Sequence, residues 1–496
     1  MARLTQQTAI IGIGRLLNMA AGAATLMVLA RVLPNKEDYG AVCQLIVLYM
    51  VLSQVFAVGL PQSNYYFLPR FTGGQRRGFL TQTVTLLMLS GALLGAILFF
   101  GADLIGHLMH SPKLPVLLRI FAVYPIFMMP TLVVESTLLH RDRPVATVVF
   151  NAIVRVGMFC GLVIPSLMHL PLSHTITVWM IVAGGMWLSA LLLIFSTVRD
   201  LPFQWHPQML HEELTISLPL AIGTLLAIST AYLDRFIVSH FFGPAVFGTY
   251  TNASLEVPTV SMVTNAMAVV LTSELCKQQP SHENLRDLAI WRGAVAKSAI
   301  VLFASLGFLA FWGPETMRIF FSDRFADSGT IFTIYVWVIP MQMIMLQPLL
   351  IARGVPHIMI YVRLVAFASE LLFVLSLGYL FGLLGIALGV VIAQYVATAI
   401  STLWFTHRFT HIGWRAFFPW RVLGLCLLVA MTAGGSSWLV HLIRPGNIPL
   451  VVKYGIGLFI FLTIYLVGMY LVRLTDSVIP VRFLSMKSSE REGVAV

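Results

Sequence analysis

The chain has 496 residues, of which 58% are hydrophobic and only 10% charged, against roughly 25% charged in ordinary soluble proteins. So few charges cannot cover a soluble protein of this size. The mean hydropathy of +0.88 defines a polytopic membrane protein and excludes a soluble enzyme, a disordered chain and a disulfide-rich secreted scaffold. The net charge of +11 is scattered as isolated Lys and Arg between apolar runs; without a basic tract, nucleic acid is excluded as a partner, and the excess follows the positive-inside bias.

A spanning helix needs about 20 mostly apolar residues. Such runs predict fourteen helices, near 7–32, 40–60, 79–102, 115–139, 146–169, 175–197, 214–240, 246–273, 292–312, 329–351, 357–379, 382–405, 421–442 and 450–472. The first could imitate a signal peptide, but Arg15 and Asn18 interrupt it and it continues to Leu33, so a retained span is expected. The runs are long and continuous rather than alternating, which gives an all-α membrane fold and not a barrel. Loops and helix ends on one side hold eighteen Lys and Arg and those on the other eight, so both termini are expected in the cytoplasm. Trp291, Trp312, Trp404 and Trp420 fall near predicted helix ends and read as interfacial anchors. Cys43, Cys160, Cys276 and Cys426 have neither zinc nor disulfide spacing and read as packing residues.

Two matches relate the first six spans to the next six. Leu33-Pro-Asn-Lys-Glu-Asp-Tyr-Gly40 after the first corresponds to Phe241-Phe-Gly-Pro-Ala-Val-Phe-Gly248 after the seventh, and Leu138-Leu-His-Arg141-Asp-Arg-Pro144 to Leu350-Ile-Ala-Arg353-Gly-Val-Pro356, at offsets of 208 and 212. Six is even, so the repeats are parallel, two six-helix lobes in pseudo-twofold arrangement. The expected organisation is a lobe at 1–197, a cytoplasmic linker at 198–213, a second lobe at 214–405, two appended helices within 406–475, and a cytoplasmic tail at 476–496.

The opening Gly12-Ile-Gly-Arg15, Ala30-Arg-Val-Leu-Pro34 and Asp38-Tyr-Gly40, then Gly59-Leu-Pro61, then Pro219-Leu-Ala-Ile, Asp234-Arg235, Gly243-Pro and Gly248-Thr-Tyr250 resemble the multidrug/oligosaccharidyl-lipid/polysaccharide exporter superfamily, and within it the Wzx-type polysaccharide transporters. The resemblance implies a flippase for undecaprenyl-diphosphate-linked oligosaccharide units in the bacterial inner membrane, serving O-antigen, capsule or exopolysaccharide assembly. It implies alternating access, coupling to H+ or Na+ without a bound cofactor, and polysaccharide polymerase machinery as a candidate partner. The alternatives are a cation-coupled multidrug antiporter, disfavoured by the basic residues, and a membrane-embedded polymerase. No HExxH, GxSxG or Asp-rich prenyl-diphosphate motif supports an enzyme, and His107, His110, His169 and His174 lack metal spacing.

Ionisable residues inside spans are costly and are usually kept for function. Arg15 with Asn18 at i+3, Arg155 with Asn151 at i−4, and Arg363 with Glu370 at i+7 form polar stripes. Arg grips phosphate oxygens through forked hydrogen bonds, so Arg15, Asn18, Arg155, Arg363, Arg235 and Lys297 are the candidate substrate-binding residues. Lys297, close to a span end, could instead reach the surface by snorkelling, as could Arg235. Asp234, Glu256 and Glu370 are the ion-coupling candidates; Glu256 is expected to share a helical stripe with Asn252 and Thr259. The competing reading is that these charges pair with one another or with backbone carbonyls and hold helices together. Pro125 and Pro130 in the fourth span, Pro340 and Pro348 in the tenth, and Pro258 in the eighth predict bends.

Overall fold

A computed structural model describes residues 2–276, 284–355, 358–410, 417–442 and 449–474, except for the side chains of 2–11, 13, 15, 16, 284, 285, 410, 442, 473 and 474. Among the described residues the chain is helical with no strand. Hydrocarbon offers no hydrogen-bond partners, so a helix that satisfies its own backbone is the economical way across.

The first half runs α1 (Ala2–Val32), α2 (Lys36–Phe56), α3 (Leu60–Phe67), α4 (Gly73–Phe100), α5 (Ala102–Leu108), α6 (Leu114–Phe121), α7 (Tyr124–Met128), α8 (Val134–His140), α9 (Pro144–Leu167) and α10 (Leu172–Ser196). The second runs α11 (Pro207–Ala253), α12 (Pro258–Cys276), α13 (Asn284–Phe321), α14 (Asp327–Tyr335), α15 (Ile339–Gln342), α16 (Gln347–Ala352), α17 (Ile358–Phe405), α18 (Trp420–Trp438) and α19 (Leu450–Leu474). Helix α11 begins inside the stretch read as a linker.

Eleven described helices are long and apolar enough to cross a membrane, or up to twelve if the bent pair Leu114–Phe121 and Tyr124–His140 is one span. The count of fourteen is not confirmed by this tally, which takes α17 as one helix, holds the bent pair apart and includes α1 only as the shorter apolar stretch Leu17–Val32 among the described residues. Gly243 (φ 75°) divides the 47-residue α11 and Gly382 (φ 60°) divides the 48-residue α17, conformations that L side chains avoid. The fourth span breaks into α6, α7, a 3-10 turn and α8 around Pro125 and Pro130, with a bend of 42°. The tenth breaks likewise into α14, α15 and α16 around Pro340 and Pro348, because proline removes a helical donor and clashes with the preceding turn.

Two compact units share the chain. One holds Met1–Pro258, Phe320–Ile331 and Ile360–Ala393; the other holds Thr259–Ile319, Phe332–Met359 and Gln394–Val496. In the first, α1 lies along α9 and α11 along α2. At the α2–α11 crossing a Cβ on Gly40 would lie 1.8 Å from the Pro244 carbonyl oxygen, and one on Gly248 would lie 2.9 Å from the Tyr39 ring. The two aromatic-Gly motifs found by repetition therefore pack on each other.

In the second unit α18 and α19 are fastened to α13. A Cβ on Gly307 would meet Ala430 O at 2.4 Å, Trp312 Nε1 donates to Ser437 Oγ at 3.0 Å, and Tyr465 donates to Ile300 O at 2.5 Å. Trp312 is thus fully buried, as is Trp291, whose indole donates to Met345 O at 2.8 Å. These two are core residues, not interfacial anchors; the hydrogen-bond partner of each indole lies inside the unit. Trp404 and Trp420 are exposed.

The second repeat match recurs in the backbone. Asp142 (φ 56°) and Gly354 (φ 69°) both adopt left-handed conformations. Arg141 donates to the Thr197 carbonyl and Arg353 to the Phe409 carbonyl, so the same offset of 212 relates donors and acceptors.

Gly40→Ala should lower the thermal unfolding midpoint and membrane abundance, since overpacking costs about 1–3 kcal/mol. Gly223→Ala, where a Cβ would meet nothing within 4 Å, should leave both unchanged in the same assay.

Candidate functional site

Of the nine residues singled out by sequence, eight belong to the first unit and Lys297 to the second. The Arg15 side chain lies outside the described residues. Asn18 is half-buried on α1. Arg155 is exposed on α9, and its guanidinium nitrogen Nη1 lies 3.6 Å from where a Gly22 Cβ would stand. Gly14, Asn18 and Gly22 follow one face of α1 at helical spacing, and a Cβ on Gly14 would collide with Val148 of α9. Small residues thus let α9 come close and bring Arg155 against α1. Arg363 is exposed on α17, whereas Glu370, two turns on, is buried. Among the described residues neither Arg155 nor Arg363 forms an ion pair. Lys297 is exposed on α13.

The stripe expected for Glu256 does not form. Residues 255–257 are non-helical, Glu256 is exposed, and α12 starts at Pro258. Proline disfavours helix in the residue before it and cannot donate to the preceding turn, so Asn252 and Thr259 fall on separate helices. Asn252 turns inward and accepts a hydrogen bond from Tyr39. Thr259 lies beside Ser305, with hydroxyls 3.4 Å apart.

The other two carboxylates meet in a buried polar network at the α2–α11 contact. Asp234 is 4% exposed and accepts a hydrogen bond from the Tyr250 hydroxyl at 2.9 Å. Arg235 reaches the other end of α11, donating to Ser254 Oγ at 3.0 Å and to the Ser254 carbonyl at 2.8 Å. Its guanidinium also lies 4.5 Å from the Tyr232 ring centroid. Glu370, 2% exposed, sits within electrostatic range of both Asp234 and Arg235. Below them Gln44 donates to Ser239 Oγ at 2.8 Å and to Met109 O at 3.0 Å. Two carboxylates therefore share one nearby guanidinium, in a setting where buried charge is strongly felt. Such a cluster suits uptake of a proton or a monovalent cation.

Sequence reading found Asp234, Arg235 and Glu370 as intramembrane charges but not their partners. Tyr39, Gln44, Ser239 and Tyr250 are ordinary residues of apolar helices until α2 and α11 are laid together. Two of them carried a signal, Tyr39 by its place in the repeated motif and Tyr250 by its place in the Gly248-Thr-Tyr250 run of the family resemblance.

Helices of this length, broken at proline and glycine and enclosing a buried charge cluster, define a multi-pass membrane protein. The solved structures agree on the fold. The lipid II flippase MurJ in an inward closed conformation superimposes with a TM-score of 0.75 at 15% identity, covering 94% of this chain and 100% of that one. An inward-facing multidrug resistance transporter of the MATE family in the MOP superfamily gives 0.62 at 14% identity, covering 79% of this chain and 95% of that one. A MOP superfamily transporter from Pyrococcus furiosus, whose binding pocket has reverse polarity, gives 0.57 at 13% identity, covering 82% and 95%. The profile of the polysaccharide biosynthesis protein family matches residues 28–329. The chain belongs to that family. No curated protein sequence is similar enough to match.

Tyr39→Phe and Asn252→Ala should each lower the thermal unfolding midpoint, by about 1 kcal/mol equivalent or more, because each leaves a buried partner unsatisfied. The double variant should lose less than the sum, the coupling expected of groups in direct contact.

Proposed function

We propose that the protein is a flippase carrying isoprenoid-diphosphate-linked oligosaccharide repeat units across the bacterial cytoplasmic membrane for surface polysaccharide assembly. Undecaprenyl diphosphate is the proposed lipid carrier and polysaccharide polymerase machinery the proposed partner downstream. The observation that carries this reading is the pair Arg155 and Arg363, exposed on apolar helices and without an ion pair among the described residues. Arg155 lies about 16 Å along α9, too deep to be left facing hydrocarbon cheaply. A diphosphate supplies the acceptor that a guanidinium in such a place lacks, and the planar fork meets phosphate oxygens bidentately. Membership of the polysaccharide biosynthesis family supports a glycan-linked cargo over an organic cation, which the arginines would repel.

Arg15, Asn18, Arg155 and Arg363, with Arg235 and Lys297, are the proposed headgroup-binding residues. Asp234 and Glu370 are the proposed proton or sodium site, with Glu256 at the break between α11 and α12 as a further acidic candidate. Ion binding at the Asp234 cluster changes the charge next to Arg235 and so biases alternating access. The excess of Lys and Arg on one set of loops supports cytoplasmic termini.

Replacing Arg15, Arg155 or Arg363 by Ala should cut surface polysaccharide at least tenfold with membrane abundance unchanged, and Lys should restore part of it. Normal export by all three Ala variants would refute headgroup binding. A fall in abundance that matches the fall in export, rescued by removing a carboxylate as well, would show structural ion pairs instead.

A further inference from the structure

Glu213 stands in the second turn of α11, about 30 Å along the helix from Asp234, and is completely buried (0% exposed). Its carboxylate accepts hydrogen bonds from Gln82 Nε2 at 2.7 Å and Thr83 Oγ1 at 2.7 Å, both on α4, and a longer one from Ser63 Oγ on α3 at 3.5 Å. Trp205 donates its indole N–H to Gln82 Oε1 at 2.5 Å, which fixes the amide so that its N–H2 faces Glu213. The backbone closes over the cluster: Gln204 N donates to Gly74 O at 3.2 Å, and a Cβ on Gly78 would lie 1.9 Å from Gln204 O.

Among the described residues no cation pairs with the carboxylate. On α4 the guanidinium of Arg76 is bonded to Phe71 O and that of Arg77 to Leu201 O. On the connection and on α11 itself, His206, His211 and Glu212 are exposed. On the far face of α3, Tyr65 donates to Glu135 of α8. All three donors to Glu213 are neutral. A buried carboxylate without a cation is costly, and taking up a proton removes that cost.

The hydroxyls are arranged to serve either form. Thr83 Oγ1 also lies 3.1 Å from Phe79 O, and Ser63 Oγ 2.9 Å from Leu60 O. Each hydroxyl has one proton and two acceptors within reach, so it can give that proton to an ionised Glu213 or to its own helix carbonyl. In the second case its oxygen is free to accept a hydrogen bond from the protonated acid. Beside them, Ser217 Oγ, one turn beyond Glu213, and both amide atoms of Asn64, next to Ser63, are buried and unpartnered. The pocket can satisfy the acid without admitting water.

We propose that Glu213 is a proton-binding site separate from the Asp234–Glu370 cluster, and that protonation swings the Thr83 and Ser63 hydroxyl hydrogens onto their own helix carbonyls, replaces charge-assisted hydrogen bonds by weaker neutral ones, and so loosens the hold of α3 and α4 on the base of α11. The step adds one proton to one carboxylate oxygen and forms no other covalent bond. It does not depend on which cargo the protein carries.

Infrared difference spectroscopy of the full chain in lipid vesicles, titrated with protons alone, tests this. The carboxylic acid C=O band that grows as pH falls should lose a component in Glu213→Gln and keep that component in Asp234→Asn and Glu370→Gln. Thr83→Val removes a donor to the ionised form, so the midpoint of that component should move to higher pH by about one unit, a tenfold change in proton affinity. Identical spectra for wild type and Glu213→Gln would overturn the proposal. If Glu213→Gln does not fold, an unmoved midpoint in Thr83→Val overturns it instead.

Discussion

The close crossing of α2 and α11 is the constraint on which the charged interior of the first unit depends. Two helices meet there with Gly40 set against the Pro244 backbone and Gly248 against Tyr39, nearer than any side chain at those positions allows. Only at that separation do Tyr39 and Asn252, and Gln44 and Ser239, come within hydrogen-bond reach. Those bonds fix the rotation of α11 about its axis, and with it the inward direction of Asp234. In hydrocarbon, association of helices rests on packing and on polar pairs of this kind rather than on the hydrophobic effect.

The same crossing explains why α11 must be interrupted. Gly243, at φ 75°, lets the chain change direction between the part that carries Asp234 and the part that carries Tyr250 and Asn252. The two parts then face each other closely enough for Tyr250 to reach Asp234 and for Arg235 to reach Ser254. A charge on one segment is thereby held by neutral groups on the next. At the opposite end of α11, Glu213 is held by neutral donors alone. One helix therefore carries two differently built buried carboxylates.

Much of this was legible in the sequence because the strongest signals are the ones a bilayer imposes. Apolar runs long enough to span gave the all-helical fold, and prolines at 125, 130, 340 and 348 marked the bends in the fourth and tenth spans. The repeat was visible in matches of eight and seven residues, and the geometry of Arg141 and Arg353 shows why the second pair match: each anchors a left-handed turn to an equivalent carbonyl. What was illegible depended on tertiary contact. Glu213 looked like the end of a polar linker because its partners lie some 130 to 150 residues away. Glu256 looked helical because Pro258 ends one helix and begins another, which periodicity alone does not distinguish from a kink. Trp291 and Trp312 looked interfacial because distance from a span end says nothing about what packs beside it.

The central claim, that exposed intramembrane arginines carry a diphosphate headgroup across the membrane, is tested most directly in vesicles containing the purified full chain. A polyprenyl-diphosphate-linked oligosaccharide with a fluorescent sugar is placed in one leaflet, and its arrival in the other is followed by a quencher that cannot cross the membrane. The account predicts translocation well above protein-free vesicles, faster with an imposed proton or sodium gradient, and absent with Arg155→Ala. Translocation no faster than in protein-free vesicles, together with gradient-driven movement of an organic cation such as ethidium, would contradict it.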